Sequence, residues 1–302
     1  MKAPNFYADN GLDRAGHRRR DSGWLEARLQ HPDTLFVPVW RGQNLVASLA
    51  EGAPVAVTLR REALVSLEGE AVLLGLRDER AYFALDLSHR EAPLEALRAE
   101  GAIEFTDLRR VGPLLARPEG ALLAYARGIL HWHGRHRFCG VCGSPTRSEE
   151  GGHVRRCTKA ECNAAHFPRT DPAVIMLVTD GERALLGRQK VWLPGMHSTL
   201  AGFVEPGESL EEAVAREVRE ETGIVVDDVA YHSSQPWPFP ASIMLGFTAR
   251  AATTELQVDP EELEAAHWFD RAFILGHPDD DTFRLPRRDS IARRLIEDWL
   301  QR

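Results

Sequence analysis

The segment from Gly202 to Ile224 places the tightest limits on what this 302-residue chain can become. Ser209 followed by Glu212 is a capping box that opens a helix, and Gly223 stands where a left-handed residue would close it. At about 100° per residue, Glu217 and Glu221 fall in the same sector as Leu210 and Val214, with Glu220 about 80° to one side. A helix that only packed on a core would continue its apolar stripe at 217 and 221. Carboxylates crowded there repel one another unless a cation sits among them, and a pattern broken this sharply points to function. Hard oxygen ligands on one face suit Mg²⁺ or Mn²⁺, with an oxygen-rich substrate completing the shell. The plainer alternative is a solvated acidic face paired with Arg216 and Arg219. The loop before the helix, with Gly202, Pro206 and Gly207, leaves backbone room beside the carboxylates and favours the metal.

All four cysteines lie in one short stretch, as Cys139-Gly-Val-Cys142 and Cys157-Thr-Lys-Ala-Glu-Cys162. Two close pairs can bring four thiolates onto one tetrahedral centre, the arrangement structural zinc prefers. Disulfides or unrelated thiols are the bland alternative, and His136, His153 or His166 could replace one cysteine. Four thiolates leave no open position, so this zinc would be structural. Residues 134–170 hold seven basic residues against Glu149, Glu150 and Glu161, a balance suited to phosphates or simply to a solvated face.

The rest of the chain divides around these two features. With 43% hydrophobic and 27% charged residues it is expected to be globular, and its length suggests about two domains. A net charge of −8 argues against a dedicated nucleic-acid or anionic-membrane protein. The longest apolar runs, Ala71–Leu76 and Ala173–Val178, have strand length, and the first twenty residues lack the apolar core of a secretory signal. The expectation is a soluble, cytoplasmic protein with no membrane partner. Residues 1–130 read as a mixed, mainly β domain, with strands at Thr34–Trp40, Asn44–Ser48, Pro54–Leu59, Ala71–Leu76 and Ala81–Leu87. Helices are expected at Glu91–Glu100 and Glu119–His131, and no catalytic constellation is visible there. Residues 134–168 form the candidate zinc module. Residues 169–302 read as α/β, with strands at Pro172–Val178, Arg183–Arg188 and Ser242–Arg250 and a last helix at Asp289–Gln301. No internal repeat is evident.

Residues 202–224 match G-x5-E-x7-R-E-U-x-E-E-x-G-U, with U aliphatic, without gap or substitution. This is the Nudix box, and the chain resembles the Nudix hydrolases, which cleave nucleoside diphosphates linked to another moiety using a divalent metal. The resemblance implies that Glu217, Glu220 and Glu221 bind Mg²⁺ or Mn²⁺, with Glu221 favoured as the group that activates water. It implies that Arg216 holds the glutamates, that Glu208 supports the loop or a further metal, and that the backbone carbonyl of Ala201 completes the shell. The implied fold is an α+β or α/β protein: an α/β/α Nudix sandwich with a mixed sheet, preceded by a zinc ribbon and a β-rich domain.

Past the box, Ser234-Gln235-Pro236-Trp237-Pro238-Phe239-Pro240-Ala241-Ser242 matches S-Q-P-W-P-F-P-x-S, the mark of the NADH pyrophosphatase (NudC-type) subfamily. That subfamily also carries a four-cysteine zinc module just before its Nudix domain. The resemblance implies a homodimer that hydrolyses NAD(H) to nicotinamide mononucleotide and AMP and removes NAD caps from RNA. It places Gln235, Trp237, Phe239 and Ser242 near substrate and makes Phe167 and Phe203 ring-stacking aromatics. It sets Glu262 near the metal or a ribose, and Ala292 in the pocket. Two rivals remain: a Nudix hydrolase of ADP-ribose or dinucleoside polyphosphates, and a zinc-ribbon nucleic-acid-binding protein with an idle Nudix domain.

Overall fold

The computed structural model describes residues 3–47, 52–64, 69–97 and 101–301. They form two compact units, one of Tyr7–Thr170 with Trp237–Ala241, the other of Met1–Phe6, Asp171–Pro236 and Ser242–Arg302.

In the first unit, α1 (Ser22–Gln30) precedes β1 (Leu35–Trp40), β2 (Gln43–Ala47), β3 (Val55–Ala56), β4 (Leu59–Arg60), β5 (Ala71–Arg77), β6 (Arg80–Asp86) and β7 (Ile103–Thr106). Helices α2 (Leu108–Val111) and α3 (Arg117–Arg135) follow. The sheet runs β3-β2-β1-β6-β5, with β4 against β1 and β7 against β2. Strand β1 is parallel to β6 and antiparallel to β2 and β4. Side chains alternate across a strand, so Phe36 joins Phe83, Leu73 and Leu85 in a core that Trp24, Leu25 and Leu29 of α1 cover. The opposite face carries α3, whose buried stripe includes Leu123, Ala126 and Leu130.

The zinc-module residues fold as a three-stranded antiparallel sheet of β8 (Thr146–Glu149), β9 (Val154–Cys157) and β10 (Ala165–His166). Arg155 of β9, almost fully buried, ties it to the larger sheet by pairing with Glu70 at 2.7 Å and with Nδ1 of His133 at 2.9 Å. Burial disfavours charge on Glu70, but the His133 and Arg155 contacts outweigh it and hold the carboxyl down at about 2.

The second unit is a mixed sheet between helices. Its elements are β11 (Asp171–Thr179), β12 (Arg183–Arg188), β13 (Leu200–Phe203), α4 (Leu210–Thr222), β14 (Val226–Trp237), β15 (Ser242–Ala251), β16 (Ala265–Asp270), α5 (Arg271–Gly276) and α6 (Ile291–Leu300). The strand order is β14-β15-β11-β12-β16, with β13 on β11. Strand β11 is apolar on both faces because both are covered. Val174, Met176 and Val178 meet Val214 and Val218 of α4, while Ile175 and Leu177 meet Leu295 and Ile296 of α6.

The two sheets share one plan, which corrects the expectation of no internal repeat. In each, a central strand (β1 or β11) is parallel to a later strand (β6 or β15) and antiparallel to its hairpin partner (β2 or β12). In each a short strand (β4 or β13) adds antiparallel to the central one, and the hairpin partner takes a further strand (β7 or β16). A last helix (α3 or α6) packs on the central strand and its parallel neighbour. The difference lies between β4 and β5, where residues 61–70 are fewer than the thirteen of α4. Among the described residues the first sheet has no counterpart of the glutamate helix. Repetition at this level is a matter of strand order, which residue identity need not carry.

Local expectations shift in other places. The helix expected at Glu91–Glu100 is a 3-10 turn that starts at Pro93 and ends at Ala96, because Leu97 turns back in extended conformation to bridge Leu64. Residues 98–100 lie outside the described residues, as does Ser48 at the end of the second expected strand. The strand expected over Pro54–Leu59 is two short pieces, and the helix at Glu119–His131 extends to Arg117–Arg135. The strand β14 runs directly into the proline-rich segment.

Candidate active site and metal centre

Helix α4 is fixed at both ends before any tertiary contact. Ser209 Oγ accepts from the Glu212 N–H at 3.2 Å, Glu212 accepts from the Ser209 N–H at 2.8 Å, and Gly223 sits at φ 73°. Val214 and Val218 anchor the helix on the sheet and carry Glu217 and Glu221 inward with them.

Three carboxylates converge there: one oxygen from each of Glu217, Glu221 and Glu262 lies within 4.8 Å of the other two. Glu262 arrives from a distant loop. The Asp259 N–H donates to Glu221 O and the Gln257 N–H to Thr222 O, which draws that loop onto the end of α4. Glu221 is 5% exposed and its Oε2 has no hydrogen-bond partner. Burial, reinforced by the charges of Glu217 and Glu262, pushes the Glu221 carboxyl up to about 8. Burial also raises Glu217, against the pull of Arg216. Such a cluster is costly without a positive charge at its centre, and its all-oxygen donor set fits a hard divalent cation.

Gly202 leaves the space in which Glu217 lies. A Cβ there would stand 1.8 Å from the Glu217 carboxyl carbon. Arg216 braces the opposite side, gripping Glu208 with Nε at 2.5 Å and Nη2 at 2.9 Å. Its Nη1 donates to Glu217 and Glu220, each at 2.9 Å, and Nη2 to Phe203 O. The Arg216 contact holds the Glu208 carboxyl down at about 2. Glu220 is half-exposed, bonded to Arg216, and stands outside the three-carboxylate cluster. Ala201 lies in β13 opposite Ile175.

The cysteines form a second centre, with one sulfur from each of the four within 4.8 Å of the others. The Cys139–Cys162 and Cys142–Cys157 sulfurs are 3.8 and 3.4 Å apart. Gly143 takes φ 75° and donates to Cys139 O, closing the first knuckle. Of the alternative histidines, His136 is engaged with Trp132 O and His153 with Leu73 O, while His166 borders the centre, 3.3 Å from the Cys139 sulfur. Four sulfurs at this spacing fit tetrahedral zinc.

Residues 169–289 match the NUDIX domain family, residues 135–167 the NADH pyrophosphatase zinc ribbon domain, and residues 33–132 the NADH pyrophosphatase-like rudimentary NUDIX domain. The chain is 36% identical to the NAD-capped RNA hydrolase NUDT12 of Macaca fascicularis, over 98% of this chain and 73% of that protein. It belongs to the Nudix hydrolases. Two other similar members are the NAD-capped RNA hydrolase NudC of Stutzerimonas stutzeri and the mitochondrial NAD(P)H pyrophosphatase NUDT13 of Mus musculus. The first is 43% identical over 81% of this chain and 79% of its own. The second is 37% identical over 77% of this chain and 72% of its own.

In this Nudix hydrolase the residues expected around a substrate are not all presented alike. Phe167 and Phe203 are 62% and 59% exposed, and Ser242 and Trp237 are half-buried. Gln235 is 1% exposed, and its amide is consumed inside the protein, donating to Phe6 O and Asp289 O and accepting from the Ile291 N–H. Ala292 lies on the buried face of α6, in the core. Phe239 is buried against Tyr7 and Trp237, with Arg109 and Arg127 over its ring. Within the chain, then, Gln235, Phe239 and Ala292 each brace neighbouring structure. Sequence reasoning missed the Arg155–Glu70–His133 network, since nothing in the spacing of those residues signals that they meet.

Proposed function

We propose that this Nudix hydrolase cleaves the pyrophosphate of NAD(H), giving nicotinamide mononucleotide and AMP, and removes NAD caps from RNA by the same bond cleavage. The observation that carries the chemistry is the convergence of Glu217, Glu221 and Glu262 around the unpaired Glu221 Oε2. The substrate class rests on the three-part domain match and on relatives named for NAD-capped RNA and NAD(P)H.

Glu217, Glu221 and Glu262 would hold the divalent ion, Mg²⁺ or Mn²⁺, with the Ala201 carbonyl as a further donor. When bound, that ion neutralises pyrophosphate oxygens and lowers the pKa of water. Glu221 Oε2 takes a proton from the attacking water, whose oxygen bonds to phosphorus as the bridging P–O bond breaks. Arg216 fixes Glu217 and Glu220, and Glu208 fixes Arg216. The family resemblance assigns Phe167 and Phe203, both exposed, to stacking on a flat base and sets Trp237 and Ser242 near substrate. A homodimer and a cytoplasmic location complete the reading; among the described residues no helix is long and apolar enough to cross a membrane.

The test is product analysis with NADH, NAD⁺, ADP-ribose and NAD-capped RNA, with and without Mn²⁺. Metal-dependent AMP and mononucleotide from NADH, reduced about 10²–10⁴-fold in Glu221→Gln, are expected. Preferential cleavage of ADP-ribose would replace the substrate assignment, and hydrolysis undiminished in Glu221→Gln would remove the proposed base.

A further inference from the structure

The rudimentary repeat holds a cavity that the proposed chemistry does not use. It has a volume of about 270 Å³ and opens where the parallel strands β1 and β6 end against α3. Its wall includes Arg127, His131, Arg135 and Arg137, with Asp86 as the acidic residue. Residues 127, 131 and 135 are spaced by four along α3 and so rise on one face over about 12 Å.

The catalytic repeat has a cavity at the corresponding place, against α6 at the ends of β11 and β15. There the charges are matched internally. His232 meets Asp298 at 2.8 Å, and Arg250 meets Asp227 and Asp228, each at 2.8 Å. In the rudimentary repeat the match fails. Asp86 spends one oxygen on the Ser88 N–H, and Arg127 has Asp107 only at 3.9 Å. Arg135 and Arg137 are exposed and have no acidic partner within 4.0 Å among the described residues. A helix C-terminus attracts basic residues through its dipole. That effect does not explain Arg127, two turns earlier and largely buried, nor a stripe of basic residues lining a concavity in a protein of net charge −8.

We propose that this cavity binds a phosphate group, carried either by a free nucleotide or by a nucleic-acid strand. Arg135 and Arg137 supply the mobile donors, and Arg127 supplies fixed charge from the floor. Arg127 is held there by its bonds to Pro238 O and Gly42 O. The site lies in the repeat that lacks the glutamate helix, so it acts by binding alone.

The test uses the full zinc-loaded chain and three probes: inorganic phosphate, AMP, and a labelled uncapped RNA of ten nucleotides. Affinities are compared between the natural protein and Arg135→Gln/Arg137→Gln. Binding of at least one probe is expected to weaken about tenfold, with zinc content and thermal stability unchanged. For the RNA, losing two phosphate contacts lowers the slope of log affinity against log salt by about 1.4. Weakening confined to RNA identifies a strand as the source, and weakening of AMP and phosphate identifies a free nucleotide. Should the double variant lose zinc because Arg137 adjoins the ribbon, Arg135→Gln alone decides by the same criterion. The proposal is overturned if every probe binds the variant as tightly as the natural protein, or if none binds the natural protein. The readout is independent of the catalytic assignment, which Glu221→Gln tests separately.

Discussion

At Gly202 the Cβ of an alanine would occupy the position of the Glu217 carboxyl group. That group is the free end of a flexible side chain, so the fold can absorb Gly202→Ala by turning it aside. Hydrolysis should then fall about a hundredfold with little change in melting temperature, because a ligand displaced by about 1 Å no longer meets its cation. An alanine variant of undiminished activity would show that Glu217 need not lie there. Glu221 gives the pH dependence of the metal-free protein. Its folded carboxyl, near 8 against an ordinary 4.5, favours the protonated form, so its stabilising contribution is present at low pH and is lost as pH rises through 8. Melting temperature should therefore rise as pH is lowered from 8 to 6.5. Below that, His153, whose ring is pushed down to about 4 by burial, withdraws stability and offsets the further gain from Glu221. Glu221→Gln should flatten the rise between 8 and 6.5, and added Mn²⁺ should offset it by favouring the ionised carboxylate.

Helix α4 shows how an element can be specified locally and still depend on its surroundings. Ser209→Ala removes the acceptor of the capping box and should cost about 1 kcal/mol in urea unfolding. Gly223→Ala should cost about 1–2 kcal/mol, since it forces a left-handed conformation on a residue with a side chain. Its Cβ would also press to 2.8 Å from Gln257 Cβ, on the loop that brings Glu262 to the site. A drop in metal affinity for Gly223→Ala beyond that of Ser209→Ala is expected, measurable by Mn²⁺ titration. Equal affinities would mean that the loop does not need this packing.

Across the whole molecule one strand plan serves two ends: a sheet that carries the glutamate helix, and one that among the described residues carries none and holds a basic cavity. The zinc ribbon has little core of its own, with Val154, Cys139 and Cys157 its few buried apolar side chains. A sheet that small depends on metal ligation for its stability. Chelation of zinc, or Cys157→Ser, should abolish hydrogen-exchange protection over β8 and β9 and cost several kcal/mol. Protection that survived zinc removal would assign the ribbon's stability to Arg155 and its partners.

The Glu217–Glu221 sector, the Arg216 and Glu208 positions, the capping box and the cysteine pairing were all legible in the sequence, because each is set by spacing within a few residues of one helix or knuckle. Only the tertiary structure decided the rest. Glu262, which only the family resemblance set near the metal or a ribose, joins the carboxylates because backbone N–H groups of a distant loop cap the end of α4. Glu220, close to the others in sequence, is turned toward Arg216. Gln235 and Phe239 sit in a motif that reads as substrate-facing, yet their side chains satisfy buried backbone and aromatic partners from far along the chain. The repeat was invisible for the same reason. Strand order and register arise from contacts between remote segments, and many residue sequences satisfy one such pattern.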